Sequence, residues 1–147
     1  MNNFSTICPD ASLVIHLLLN DDPDADIVSL WKGWHLAKYS LVAPTLIFYE
    51  VSNVLHQYAR HGRLPDKDVE IALQLAHRLN IKTIGDIFLH RRAVTIARQW
   101  RLPATYDAHY LAVAERYQAQ FWTMDKRLVS AVEPDLKWVR LWAAVEE

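Results

Sequence analysis

The sequence has little of several features that would point to particular classes of protein. Its 147 residues include a single cysteine, Cys8, so no internal disulfide can form, and a reducing compartment is expected. Three glycines leave no flexible linker, and no apolar run reaches the roughly 18 residues that a membrane-spanning helix needs. The net charge of −1 gives no overall basic field, so nucleic acid binding would have to depend on a local patch. We therefore expect a soluble cytoplasmic protein with one domain over 1–147 and no signal peptide.

What the sequence does have is a regular alternation of short apolar runs with longer helical patterns. Strands are predicted over 4–8, 40–43, 81–84, 121–124 and 137–141. Helices are predicted over 12–19, 24–38, 45–61, 66–79, 88–100, 106–117 and 126–132, with Ser12, Asp24 and Thr105 as caps of the first, second and sixth. This alternation predicts an α/β fold, a three-layer sandwich whose mostly parallel central sheet is covered by helices on both faces.

Four carboxylates occupy unusual places in this pattern. Asp10 follows the first predicted strand, and Asp125 follows the fourth, in the segment FWTMD. Ligands of open parallel sheets gather at the carboxyl ends of strands, so these two aspartates are candidates for one site. Asp107 and Glu50 lie at helical spacing from apolar residues, on faces that would otherwise be buried. Each aspartate alone also has an ordinary explanation, as a helix cap, a turn residue or an anion at a helix N-terminus.

Four carboxylates in one pocket would repel one another, and a divalent cation removes that conflict. Oxygen ligands suit Mg²⁺ or Mn²⁺, whereas the scattered histidines show no zinc-binding spacing. The hydroxyls of Ser12, Thr105 and Thr123 stand beside the acids and are candidates for supporting hydrogen bonds. Such a site can activate water and offset charge on a phosphodiester.

The segments that carry these residues resemble the PIN-domain family, and within it the VapC-type toxins of toxin–antitoxin pairs. The matching segments are CPDAS, YEVSNVL, ATYDAHYLAVAE and FWTMDKRL, in the family's order, within about 6–141. The resemblance implies a PIN-like fold and a Mg²⁺- or Mn²⁺-dependent endoribonuclease that hydrolyses RNA phosphodiesters with a metal-activated water. It gives the catalytic and metal-binding roles to Asp10, Glu50, Asp107 and Asp125, and supporting roles to Ser12, Asn53 and Thr123.

The same resemblance implies partners. It predicts the toxin of a type II toxin–antitoxin system, a homodimer inhibited by a small cognate antitoxin. The sequence departs from the family in the turn 117–120, which lacks the glycine often found there, and in the acidic loop NDDPDAD.

Other interpretations remain. A PIN fold without catalysis that only binds RNA or protein is the main alternative. A haloacid-dehalogenase-like phosphatase needs a second aspartate two residues after Asp10, where this chain has Ser12. Trp31 and Trp34 are three residues apart on one predicted helix and belong either to the core or to a partner groove. Candidate phosphate contacts are Arg91, Arg92, Arg98, Arg101, Lys126 and Arg127.

Overall fold

The computed structural model describes residues 4–143, and over that range strands and helices alternate along the chain. The strands are β1 (Thr6–Pro9), β2 (Ser40–Pro44), β3 (Lys82–Ile84), β4 (Gln120–Thr123) and β5 (Val139–Leu141). The helices are α1 (Ala11–Leu18), α2 (Asp26–Leu36), α3 (Leu46–Arg60), α4 (Asp66–Arg78), α5 (Ile87–Gln99), α6 (Tyr106–Tyr117) and α7 (Lys126–Val132). Among these, no helix is both long and apolar enough to cross a membrane.

The strands form one sheet in the order β3-β2-β1-β4-β5, and every pairing is parallel. The predicted α/β fold is therefore confirmed, with a sheet that is parallel throughout. Chain order reverses at β1, because β2 lies on one side of it and β4 on the other. The crevice between β1 and β4 is the switch point of the sheet, where ligands of such folds bind.

Helices cover both faces of this sheet, as the predicted three-layer sandwich requires. Successive side chains of a strand point to opposite faces. On β4, the ring of Phe121 packs against Tyr110 of α6, with centroids 5.9 Å apart. The neighbouring ring of Trp122 packs against Trp34 of α2, at 5.7 Å. Helices therefore cover both faces of the strand. Phe121 belongs to the buried core, and Trp122 packs against it.

The predicted side-chain caps of the first two helices are wrong. Asp10, and not Ser12, caps α1, because its carboxylate accepts a hydrogen bond from Leu13 N. The second helix begins after Ala25, which makes no side-chain cap, so Asp24 does not cap it. Most other boundaries lie within two residues of those predicted, since helix ends fray and strand ends depend on pairing partners.

The turn after α6, over 117–120, forms without a glycine. Gln118 takes the left-handed conformation, with φ 52°, and its backbone closes the helix on Ala114 and Glu115. Left-handed backbone is costly for a residue with a Cβ, although glycine adopts it freely. The turn therefore contains glutamine where the resemblance predicts glycine, and it still connects α6 directly to β4.

Candidate active site

Asp10 stands where β1 ends and α1 begins, beside the end of β4. Its backbone N–H donates to the carbonyl of Trp122 at 3.0 Å, which extends the β1–β4 pairing to the aspartate itself. Its carboxylate accepts hydrogen bonds from the Ser12 hydroxyl, from Leu13 N at 3.2 Å and from the Thr123 hydroxyl at 2.5 Å. Burial raises the pKa of Asp10, and these hydrogen bonds partly offset that effect. The side chain is therefore held in one orientation at the switch point.

Thr123 connects Asp10 to Asp125. This last residue of β4 is fully buried, and it is the one buried polar residue found over 4–143. Its hydroxyl donates to Oδ2 of Asp10 and accepts from the backbone N–H of Asp125 at 3.0 Å. A single buried hydroxyl thus fixes the carboxyl ends of both central strands relative to each other.

Asp125 caps α7 and is exposed. Its Oδ1 accepts from Arg127 N at 3.0 Å and from Leu128 N at 3.1 Å. The ordinary explanation of Asp10 as a helix cap is therefore confirmed, and Asp125, for which a turn role was the ordinary explanation, is also a helix cap. Capping does not exclude a ligand role, because a carboxylate has about four lone-pair sites. Here it orients the carboxylates and leaves acceptor capacity at the sheet edge.

Glu50 reaches the same region from α3. It is partly buried, and its Oε1 accepts a hydrogen bond of 2.7 Å from the hydroxyl of Tyr110. Burial raises the pKa of Glu50, and the negative charges of Asp10 and Asp107 raise it further, while the tyrosine bond lowers it. The inward helix face predicted for this glutamate is confirmed.

Asp107 lies in the first turn of α6. Desolvation raises the pKa of its carboxyl, and repulsion from Asp125 and then Asp10 adds to the effect. The residue as a whole is exposed, which is more than its helix face predicted. Asp107 is nevertheless close enough to two other acids for their charges to interact.

We call Asp10, Glu50, Asp107 and Asp125 the acidic cluster. Four elements bring these carboxylates together at one end of the sheet, and charge repulsion couples each of them to at least one other. In the described part of the chain, no three acid, histidine or cysteine side chains form a ready group for one ion. Side-chain rotation is therefore needed to bring several carboxylates onto a common cation. The donors are all oxygen and mutually repelling, which fits Mg²⁺ or Mn²⁺.

The predicted supporting residues differ in what they do. Ser12 is exposed and bonds Asp10, whereas Asn53 is exposed one turn beyond Glu50 on α3. Thr105 precedes α6 as predicted, but its hydroxyl makes no cap hydrogen bond, so its predicted capping role is wrong. Its carbonyl instead accepts from His109, through the backbone N–H at 3.0 Å and from ring Nδ1 at 2.6 Å. The backbone of Thr105 is helical, whereas a residue whose side chain caps a helix usually has extended backbone.

One candidate phosphate contact is already occupied. Arg92 forms a two-bond ion pair with Glu115, each contact 2.9 Å long, between α5 and α6. Lys126 and Arg127 lie in the first turn of α7, directly after Asp125, and both are exposed. They are the candidates whose place in the chain puts them beside the acidic cluster.

Sequence reasoning missed Tyr110. It is buried, and burial together with the charge of Glu50 raises its pKa, so its hydroxyl stays protonated and donates to the glutamate. A signal was available, because Tyr110 follows Asp107 by three residues on the same helix, and such residues are neighbours on one face.

Trp31 and Trp34 pack against each other, with ring centroids 5.1 Å apart, and both are buried. The core interpretation of the pair is confirmed. They also form part of the wall of a groove of about 650 Å³, which we call the α2 groove. The indole N–H of Trp31 is fully buried and has no hydrogen-bond partner among the described residues. Cationic side chains that line the α2 groove are Lys32, Arg78 and Lys82.

Comparison with known proteins identifies the family of the chain. The model of the PIN domain family matches residues 7–133. Ribonuclease VapC9 of Mycobacterium tuberculosis is 30% identical over 125 residues, which cover 83% of this chain and 87% of VapC9. VapC ribonuclease Mb0985 of Mycobacterium bovis matches with the same identity and coverage.

Solved structures give the same result for the fold. PAE2754 from Pyrobaculum aerophilum has a TM-score of 0.65 and 25% identity, covering 87% of this chain and 85% of its own. A chain of a toxin–antitoxin complex from Klebsiella pneumoniae has a TM-score of 0.57 and 14% identity, covering 91% and 95%. With its acids at the switch point of a parallel sheet, the chain belongs to the PIN domain family. Within that family its relatives are VapC ribonucleases, so the resemblance in the sequence is confirmed.

Proposed function

We propose that this protein is a Mg²⁺- or Mn²⁺-dependent endoribonuclease and the toxin of a type II toxin–antitoxin system. The acidic cluster supports this proposal most strongly, since four carboxylates from separate elements converge beside the β1–β4 crevice. Relatives that carry the name VapC ribonuclease support the substrate class.

The chain's own residues have distinct tasks in this mechanism. Ser12 and Thr123 orient the carboxylate of Asp10, and the N-terminus of α7 orients Asp125. A bound Mg²⁺ or Mn²⁺ supplies a water of lowered pKa and offsets the charge that develops on the phosphodiester. The raised pKa values of Glu50 and Asp107 mean that protons compete with the cation for these carboxylates.

The alternative is a PIN fold that binds RNA or protein without cleaving it. The observation that favours it is the lack of a ready group of three ligands among the described side chains. All four acids are nevertheless in place, and two of them are fixed by several hydrogen bonds. A scaffold that only bound RNA would gain nothing from holding mutually repelling carboxylates together.

We also propose that the antitoxin binds in the α2 groove. Aromatic and aliphatic side chains line its floor, and the cations Lys32, Arg78 and Lys82 are accompanied there by no carboxylate from the described residues. This charge favours an acidic segment with apolar anchors.

The proposed homodimer needs an exposed apolar surface, and the tryptophan pair does not supply one. Trp31 and Trp34 are buried, so they do not form an exposed tryptophan face. Exposed aromatic side chains on three other helices include Tyr49 of α3, Phe88 of α5 and Tyr106 of α6. Exposed apolar side chains from neighbouring elements are typical of protein–protein contacts. We therefore propose this surface for the second copy.

The experiment that tests the activity incubates antitoxin-free protein with total RNA, with Mn²⁺ or with EDTA, and maps new 5′ ends. Cleavage should require the cation, and Asp107→Asn should lose on the order of 100-fold in rate or more, because one charged group of the site is removed. Asp68→Asn removes an aspartate from the first turn of α4 and is the matched control. Cleavage that persists in EDTA excludes the mechanism, and no cleavage of any RNA favours the binding-only alternative.

A further inference from the structure

Tyr110 is held rigidly between the core and the acidic cluster. It is only 2% exposed, and its ring packs against Phe121 of β4. Its backbone carbonyl accepts from the thiol of the buried Cys8 at 3.8 Å, which ties this part of α6 to β1. The hydroxyl is the one part of the side chain that reaches a polar partner, Oε1 of Glu50 at 2.7 Å.

Several features favour movement of the Glu50 side chain away from the acidic cluster. Its neighbours on α3, Tyr49 and Asn53, are exposed, so solvent is near. Asp10 and Asp107 repel its charge, and a glutamate has several rotatable bonds through which to move away. Within residues 4–143, the Tyr110 hydroxyl is its only side-chain hydrogen-bond partner.

We propose that Tyr110 is a positioning residue whose hydroxyl holds Glu50 in the acidic cluster, with Oε2 free for a cation. The inference rests on the proposed metal site. A glutamate already held in place loses less conformational freedom when the cation binds, so its affinity for the cation is higher. Tyr110 itself does not touch the cation or the substrate and acts only through Glu50.

A purely structural role predicts something different. In that case the hydrogen bond would only satisfy a buried hydroxyl, and its loss would lower the melting temperature without changing cation affinity. The two roles are therefore separated by measuring Mn²⁺ binding directly, with no RNA present.

The test is isothermal titration of Mn²⁺ into the wild type and Tyr110→Phe, which removes one oxygen and keeps the ring. We expect affinity to fall about 10-fold, the usual effect of removing a hydrogen bond to a ligand side chain. Tyr117→Phe, the same change at the far end of α6, should leave affinity unchanged. Equal affinity of Tyr110→Phe and wild type overturns the positioning role and leaves the proposed metal site intact. A wild type that binds no Mn²⁺ overturns both.

A second variant pair shows whether Tyr110 acts through Glu50. In a Glu50→Gln background, where the glutamate charge is absent, adding Tyr110→Phe should weaken Mn²⁺ binding by less than about 2-fold, because the two changes remove one coupled unit. A further loss of about 10-fold in that background would show that Tyr110 acts by another route and would overturn the inference.

Discussion

Replacing Thr123 with valine tests how the two central strand ends are fixed. The change keeps the shape of a fully buried side chain and removes two hydrogen bonds, one donated to Asp10 and one accepted from Asp125 N. A bond to a charged group contributes about 1.5–3 kcal/mol, and a neutral one about 1 kcal/mol. In the variant, Oδ2 of Asp10 would have no hydrogen-bond donor among the described residues, because Ser12 and Leu13 both donate to Oδ1. We therefore expect the free energy of unfolding to fall by about 3 kcal/mol.

Urea unfolding followed by circular dichroism measures this change, at neutral pH and without divalent ions. For a chain of this size the melting temperature should fall by about 6–12 °C. Thr95→Val is the matched control, because the Thr95 hydroxyl bonds only the Arg91 carbonyl on an exposed face, and we expect a change within about 0.5 kcal/mol. If Thr123→Val costs no more than Thr95→Val, the bridge between Asp10 and Asp125 does not stabilise the fold as argued.

Three further predictions concern the acidic cluster and the two proposed interfaces. The carboxyls of Asp10, Glu50 and Asp107 have raised pKa values in the folded protein, so the folded state binds more protons, and the stability they contribute in EDTA rises as pH falls toward about 4. Between pH 7 and pH 5 in EDTA, the melting temperature of the wild type should therefore rise relative to that of Glu50→Gln. A fall in that relative melting temperature contradicts the argument. Arg78→Glu should weaken antitoxin binding about 10-fold or more by titration calorimetry, whereas Lys67→Glu on the same helix should not, and equal effects remove the α2 groove as the site. Phe88→Ser, at a side chain 67% exposed, should shift light scattering toward monomer, while Leu36→Ser, at 80% exposed, should not, and a dimer unaffected by Phe88→Ser uses another surface.

The parallel sheet could be predicted because the sequence alternates in a simple way. The apolar runs at β1 and β4 are buried on both faces, so they read as continuous hydrophobic stretches between helical patterns. The order of the strands, by contrast, depends on contacts between distant residues, such as Cys8 beside Phe121. The position of the switch point therefore could not be predicted from the sequence, although the acids beside it were already candidate site residues.

Helix caps were harder to predict than the acids. Both Asp10 and Ser12 are good capping residues, and only the backbone decides which one accepts the hydrogen bond. Here Asp10 has extended backbone and takes the cap, while Ser12 donates to it. Tyr110 was missed for a related reason, since its partner Glu50 is 60 residues away in the chain. Its spacing from Asp107 indicates the helix face, but tertiary packing alone determines that its partner is Glu50.

The central claim is that carboxylates from four elements of this fold form one divalent-cation site. The most direct measurement is the binding of Mn²⁺ to the wild type by electron paramagnetic resonance, since free and bound Mn²⁺ differ in signal. We expect saturable binding that weakens about 10-fold or more in Glu50→Gln, because a charged ligand that interacts with Asp10 and Asp107 is lost. Glu70→Gln, at an exposed position of α4, should bind Mn²⁺ as the wild type does. Mn²⁺ that stays free at millimolar concentration, or binding that Glu50→Gln leaves unchanged, would contradict the claim.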